Sequence, residues 1–250
     1  MASAIETGHS KNVANFDELL VFVTGYGTDY NPSKNSIKPE ALLSVSANAK
    51  NSLSVVNLVM PAYTNTVAAR EAAFEPLSKL VTRLMNALKA TDSTKQVIDS
   101  AQTLGRKLHG RRASPKKTEE EKKVLLAEGK KVTEISSSQT GYDNQLENFD
   151  KLIKLLASII LYAPNEEDLK VSSLTVLYTD LKNKNAMVIA AKAPLSNARI
   201  LRNNILYKEN TGLYDVASNV KSYVKSLYNA TSAQFKQISK LKFTKINKSL

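Results

Sequence analysis

The chain has 250 residues, of which 42% are hydrophobic and 23% are charged, with only eight glycines and seven prolines. This composition is typical of an ordered globular protein with room for one large or two small domains. The absence of cysteine excludes a disulfide framework, a thiolate metal site and a cysteine nucleophile.

The N-terminal sequence (residues 1–16) lacks a basic region followed by an apolar core, so we expect no secretory signal and a cytoplasmic location. The longest uncharged run is the 19 residues from 51 to 69, which include a proline and seven Asn, Ser or Thr residues. Such a run is a poor bilayer span, so no transmembrane helix is predicted.

Two stretches of the sequence are closely similar. TGHSKNVANFDELL begins at Thr7 and TGYDNQLENFDKLI begins at Thr140, and six of their fourteen positions are identical, where chance would give about one. At a spacing of 132, Tyr30, Lys38 and Leu42 match Tyr162, Lys170 and Leu174. The sequence therefore predicts a tandem duplication, with repeat 1 in residues 1–108, a charged linker in 109–137 and repeat 2 in 138–250.

Within each repeat the apolar residues recur at helical spacing. Phe16, Leu19 and Val23 form one stripe, and a second helix carries apolar residues every three or four positions from Leu42 to Val67. Each repeat is thus interpreted as helix, long helix, helix and short helix. We expect an all-α bundle whose two halves are related by an approximate two-fold axis.

Helix boundaries are predicted from capping and breaking residues. Gly25 and Gly27 end the first helix, and Pro39 begins the long helix of repeat 1. Asn165, followed by three acidic residues, is expected to begin the long helix of repeat 2. Pro61 and Pro194 lie inside the two long helices, where proline usually bends a helix.

The linker holds 13 charged residues in 29 and is interpreted as a solvated connector with a short helix over residues 119–128. The chain has two histidines, His9 and His109, and neither has a second ligand at helical spacing. No nucleotide-binding fingerprint is present. We therefore expect no catalytic, metal-binding or cofactor-binding residues, and no small-molecule substrate is implied.

One acidic and one basic position recur in both repeats: Asp17 matches Asp150, and Arg70 matches Arg202. We expect structural pairs of Asp17 with Arg70 and of Asp150 with Arg202, each tying the first helix of a repeat to its long helix. The alternative is that all four charges are solvated.

Residues 41–69 contain one charge, Lys50. A solvated helix normally carries charge on its outer face. This part of the long helix is therefore expected either to lie centrally in the bundle, which we prefer, or to form an association surface.

The net charge of +12 is concentrated near the ends of the two repeats. The candidate polyanion-binding residues are Arg106, Lys107, Arg111, Arg112, Lys116 and Lys117 in the first cluster, and Lys236, Lys240, Lys242 and Lys245 in the second. Basic clusters of this kind can bind nucleic acid or an anionic membrane surface. No known nucleic-acid-binding motif accompanies them.

Several motifs carry a family resemblance: YAPNEEDL from Tyr162, TGLYD from Thr211, NATSAQFKQ from Asn229 and RKLHGRR before the linker. Together with the TG and NF residues of the first helix, they resemble helical proteins of Bacteroidetes-type bacteria that have no known function. The resemblance covers most of the chain and implies a bacterial cytoplasmic protein. It implies no activity and no site residues.

The expected function is that of a non-enzymatic structural or assembly protein whose partner is a protein, either a second copy or another chain. The first alternative is nucleic-acid binding through the two basic clusters. The second is a helical membrane-acting toxin, for which residues 152–162 are the best apolar hairpin, although Lys154 lies within them.

Overall fold

The computed structural model describes residues 4–111, 118–129 and 140–245, with side chains from residue 8 onwards. The described part is all-α and contains no strand, as predicted. Its helices are α1 (Ala4–Gly25), α2 (Pro39–Phe74), α3 (Leu77–Lys89), α4 (Lys95–Leu108), α5 (Glu119–Ala127), α6 (Tyr142–Ala157), α7 (Val171–Tyr207), α8 (Leu213–Tyr228) and α9 (Ala233–Ser239).

Helices α1 to α4 lie in the predicted repeat 1, and α6 to α9 lie in the predicted repeat 2. The expected short fourth helix is found only in repeat 2, because α9 has 7 residues whereas α4 has 14 and is longer than the 13-residue α3. α1 ends at Gly25 and α2 begins at Pro39, as expected. The linker contains the short helix α5, which begins with a capping box formed by Thr118 and Glu121.

The predicted start of the second long helix at Asn165 is wrong. The acidic residues after Asn165 form a 3₁₀ turn, Glu167–Leu169, and α7 begins only at Val171. Between them Lys170 is extended, with ψ of 142°, and this extended residue interrupts the helix. Repeat 1 has the same arrangement, with a 3₁₀ turn at Asn35–Ile37, an extended Lys38 and then Pro39.

Each of these turns is fastened by an equivalent tyrosine. The hydroxyl of Tyr30 donates to the carbonyl of Ile37 at 2.8 Å, and the hydroxyl of Tyr162 donates to the carbonyl of Leu169 at 2.9 Å. Both bonds are buried. Matching turns at matching positions support the predicted duplication, while the two-fold relation between the halves stays a prediction.

The two prolines predicted inside the long helices do lie there. Pro61 is within α2 and Pro194 is within α7. Each removes one backbone donor from its helix. The 36-residue α2 and the 37-residue α7 nevertheless run without interruption.

The chain divides into two compact units, and the division falls inside α2 and α7. Unit 1 contains residues 1–64 and 191–250. Its main apolar core combines side chains of α1 and early α2 with those of late α7, α8 and α9. The fully buried ones include Phe16, Leu42, Leu206, Leu213 and Val220.

Unit 2 is the continuous segment 65–190. Its core combines late α2, α3 and α4 with α6 and early α7. The fully buried side chains include Leu84 and Leu88 from α3 and Phe149, Leu152 and Leu174 from repeat 2. Full burial of one such leucine or phenylalanine is worth about 1.5–3 kcal/mol relative to exposure.

The compact units therefore do not coincide with the sequence repeats. Unit 1 joins the first half of repeat 1 to the second half of repeat 2, and unit 2 joins the second half of repeat 1 to the first half of repeat 2. The matched residues Phe16 and Phe149 are both completely buried. α1 packs against α8 and α9 of repeat 2, and α6 packs against α4 of repeat 1.

We predict that Tyr30→Phe and Tyr162→Phe each lower the free energy of unfolding by about 1–2 kcal/mol, because a buried carbonyl loses its donor. Burial raises the pKa of both phenols, that of Tyr162 to about 12. In the unfolded chain tyrosine ionises near pH 10, so the stabilisation is complete below about pH 10 and declines as the pH rises through the folded-state pKa.

Urea unfolding at neutral and alkaline pH measures both effects, with Tyr178→Phe as the control because Tyr178 is only half-buried and makes neither bond. The advantage of wild type over Tyr162→Phe should shrink above about pH 10. Variants as stable as wild type at neutral pH would contradict the role of the two turns.

Candidate functional site

The second basic cluster lies at the end of unit 1. Lys236 is on α9, and Lys240, Lys242 and Lys245 follow in a non-helical segment. All four side chains are exposed, and none of them is in an ion pair within the described part of the chain. Residues 216–245 contain no acidic residue, although Asp29 lies beside this segment and accepts from the hydroxyl of Tyr228 at 3.4 Å.

Aromatic rings accompany these lysines. The ammonium of Lys225 is 5.9 Å from the ring centroid of Phe235, and that of Lys245 is 5.9 Å from the ring centroid of Tyr214. Cation–π contacts at exposed sites contribute about 0.5–1 kcal/mol each. Of these two lysines only Lys245 belongs to the second basic cluster, and its contact holds it beside α8.

The first basic cluster is only partly described. Arg106 and Lys107 are in the last turn of α4 and are half-buried, and Arg111 follows and is exposed. Arg112, Lys116 and Lys117 lie outside the described residues.

Two of the three described residues of this first cluster, Lys107 and Arg111, shift the pKa of a neighbouring group. Lys107 helps to lower the pKa of Glu147 on α6, after the larger effect of Lys151. The positive potential there is thus partly neutralised by an acidic neighbour that the local sequence does not reveal. Burial, and then the charge of Arg111, lower the pKa of His109, so His109 adds no positive charge near neutral pH.

The predicted structural pairs are wrong. Asp17 and Arg70 fall in different compact units, as do Asp150 and Arg202. Asp17 forms an ion pair with Lys50 at 2.9 Å and accepts from the hydroxyl of Ser46. Asp150 pairs with Lys154, four residues later on α6, at 2.6 Å.

Arg70 makes its contacts within unit 2. Its guanidinium lies 3.8 Å from the ring centroid of Tyr142 and donates to the side-chain oxygen of Asn185 at 3.0 Å. Asn185 in turn donates to Asp143 at 2.8 Å. Arg202 is buried in unit 1 and donates to the side chain of its neighbour Asn203. Arg70 thus ties late α2 to the first turn of α6, the first helix of repeat 2, and not to α1.

The preferred expectation for the weakly charged part of α2 is also wrong. About half of the residues from 41 to 69 are exposed, so this stretch is not central. We call its exposed part in unit 1 the uncharged α2 face, which comprises Leu43, Ala47, Ser54, Leu58 and Pro61. Leu43 is 58% exposed and Leu58 is 78% exposed. Lys50, the one charge in the stretch, lies on this face between Ala47 and Ser54, and its charge is compensated by an ion pair with Asp17.

Unit 1 also has an open cavity of about 260 Å³ between early α2 and late α7. Its lining consists of Val45, Asn48, Asn204, Ile205, Lys208 and Thr211. Four of the six lining residues are exposed, so the cavity is a shallow depression with a polar rim. It excludes water too poorly for catalysis to be inferred from it.

No described helix is long and apolar enough to cross a membrane. No three His, Asp or Glu side chains are grouped as metal ligands within the described ranges. In the segment considered for membrane insertion, Leu152 and Leu156 are fully buried in the core of unit 2, while Ile160 is 96% exposed.

No known protein family matches the chain, and neither a curated protein nor a solved structure matches it. The resemblance to helical proteins of Bacteroidetes-type bacteria therefore stays a prediction.

Sequence reasoning missed one site, in which α1 holds the chain's own C-terminal segment through Asn12 and Asn15. Asn15 belongs to the repeated NF motif and matches Asn148. This repetition was the sequence signal that could have pointed to the site. Asn12 has no identical partner in repeat 2, where Gln145 stands. An asparagine in a helix also has many possible roles, so its target could not be deduced.

Proposed function

We propose that the protein is a non-enzymatic structural or assembly protein of the cytoplasm that associates with a second copy of itself through the uncharged α2 face. The observation that supports this proposal is an exposed helical surface without net charge in a chain whose net charge is +12. Exposed helical faces are normally charged, and small side chains such as Ala47 and Ser54 allow a second helix to approach closely.

The size of the face sets the expected strength of association. From Leu43 to Pro61 the face is about 27 Å long and about 10 Å wide, because a helix rises 1.5 Å per residue. That area, about 300 Å² on each partner, is well below the roughly 800 Å² per partner of a standard stable interface. We therefore expect a weak, concentration-dependent dimer, unless neighbouring surfaces of unit 1 join the contact.

We predict that Leu58→Glu weakens self-association at least about tenfold, a loss of about 1.4 kcal/mol, because it buries a carboxylate in the contact. Ala190→Glu is the matched control, since Ala190 is exposed on α7 at the equivalent position, 132 residues later. Size-exclusion chromatography with light scattering over a range of protein concentrations measures the masses.

The self-association proposal fails if the wild-type chain has the mass of a single copy at every concentration. It also fails if the two glutamate variants weaken association equally, because the effect would then be one of added charge and not of the uncharged α2 face.

A second candidate function is polyanion binding through the second basic cluster, which is supported by four exposed lysines in a segment, residues 216–245, that has no acidic residue. An arrangement of this kind binds phosphates by charge without reading a base sequence. The first cluster is a weaker candidate because Glu147 faces Lys107.

We predict that replacing Lys236, Lys240, Lys242 and Lys245 by glutamine abolishes binding to a fluorescent DNA duplex at low salt. The wild-type affinity should fall steeply with salt, with a slope of about −0.9 per phosphate contacted. The control replaces four lysines elsewhere, Lys151, Lys182, Lys192 and Lys208, so that the net charge falls equally. Absence of wild-type binding at low salt, or equal loss in both variants, would refute a site at the second cluster.

A further inference from the structure

The C-terminal segment of unit 1 is bound by side chains of other elements in the way a separate peptide would be. After α9 the chain continues without helix from Leu241 to Lys245 along α1. The side chain of Asn12 donates to the carbonyl of Thr244 at 2.8 Å and accepts from the amide of Thr244 at 3.0 Å. One asparagine therefore satisfies both backbone groups of one residue, as a neighbouring strand would.

Two more side chains bind the backbone of the segment. Asn15, one turn further along α1, donates to the carbonyl of Lys242 at 2.6 Å. Lys221 on α8 donates to the carbonyl of Leu241. Three carbonyls and one amide of the segment are thus bound by side chains on two helices, and none of these four bonds depends on the identity of a tail side chain.

The groove that receives the segment is held in part by contacts that do not involve the segment. Asn12 is 1% exposed, and its amide also donates to the hydroxyl of Tyr207 at 3.1 Å, which fixes its orientation. Lys221 is half-buried, and burial lowers the pKa of its ammonium. With the segment in place both groups are withdrawn from water and bonded to its backbone, so the segment satisfies polar groups that it also helps to bury.

Specificity in this groove comes from alternate residues. Leu241 is 7% exposed and Phe243 is half-buried, with the ammonium of Lys221 5.2 Å from its ring centroid. Lys240 and Lys242 are exposed. The groove thus accepts an extended peptide with two apolar anchors separated by one residue whose side chain is solvated.

We propose that this groove is a peptide-binding site, filled in cis by residues 240–245, and that the same segment of a second copy can fill it in trans. The partner is a second copy because its tail has the anchor spacing and the backbone geometry that the groove already binds. In cis the tail is present at a high effective concentration, so exchange requires that a chain's own tail first leaves the groove. The proposal is independent of the uncharged α2 face.

The test uses the full-length chain and a fluorescein-labelled peptide with the sequence of residues 239–245. Thr244→Pro removes the backbone N–H that donates to Asn12. The change loosens the tail and leaves the residues of the groove unaltered. Fluorescence anisotropy should show the peptide binding at least about tenfold more tightly to Thr244→Pro than to wild type, because competition from the cis tail is reduced. Adding Asn12→Ala to Thr244→Pro should abolish that gain.

Phe243→Ala loosens the tail by removing an anchor instead, and it should give the same gain if Thr244→Pro does not fold by circular dichroism. A scrambled peptide of the same composition controls for charge, and Leu58→Glu should leave peptide binding unchanged, which separates this site from the uncharged α2 face. The proposal is overturned if neither loosened variant binds more tightly than wild type, or if the scrambled peptide binds equally well.

Discussion

Burial of each first helix against the other repeat is the interaction on which the rest of the structure depends. Phe16 of repeat 1 is completely buried in a core completed by α8 and α9, and Phe149 of repeat 2 is completely buried in a core completed by α3 and α4. The long helix of its own repeat covers only part of each first helix. A structure of this kind is consistent with a duplicated sequence in which each copy supplies half of both cores, and α2 and α7 carry the chain from one unit into the other.

This arrangement also determines where the candidate surfaces lie. Unit 1 is assembled from residues 1–64 and 191–250, so it brings the uncharged α2 face, the exposed lysines of the second basic cluster and the tail-binding groove into one compact body. The groove depends most directly on this assembly of unit 1 from both repeats, since Asn12 comes from repeat 1 and Thr244 comes from repeat 2. A site of this kind therefore requires residues of both repeats.

Much of the fold could be predicted because helical periodicity, prolines and glycines act locally. The order of helices, the start of α2 at Pro39 and the burial of Phe16 and Phe149 all follow from such signals. Which helices pack against each other could not be predicted, because an apolar stripe shows that a helix face is buried without showing which helix covers it. The pairing of Asp17 with Arg70 failed for that reason: it assumed that each repeat packs on itself. The groove formed by Asn12 was missed because polar contacts to a distant backbone leave no periodic trace in a sequence.

Cutting the chain between its repeats tests most directly whether each core is built from both repeats. A protease recognition site placed within residues 112–117 would allow the folded protein to be cleaved after purification. Because each core takes side chains from both repeats, the two fragments should co-elute in size-exclusion chromatography with the mass of the intact chain, and they should separate only in denaturant. Two fragments that elute apart under native conditions, each still helical and cooperatively folded, would contradict the account.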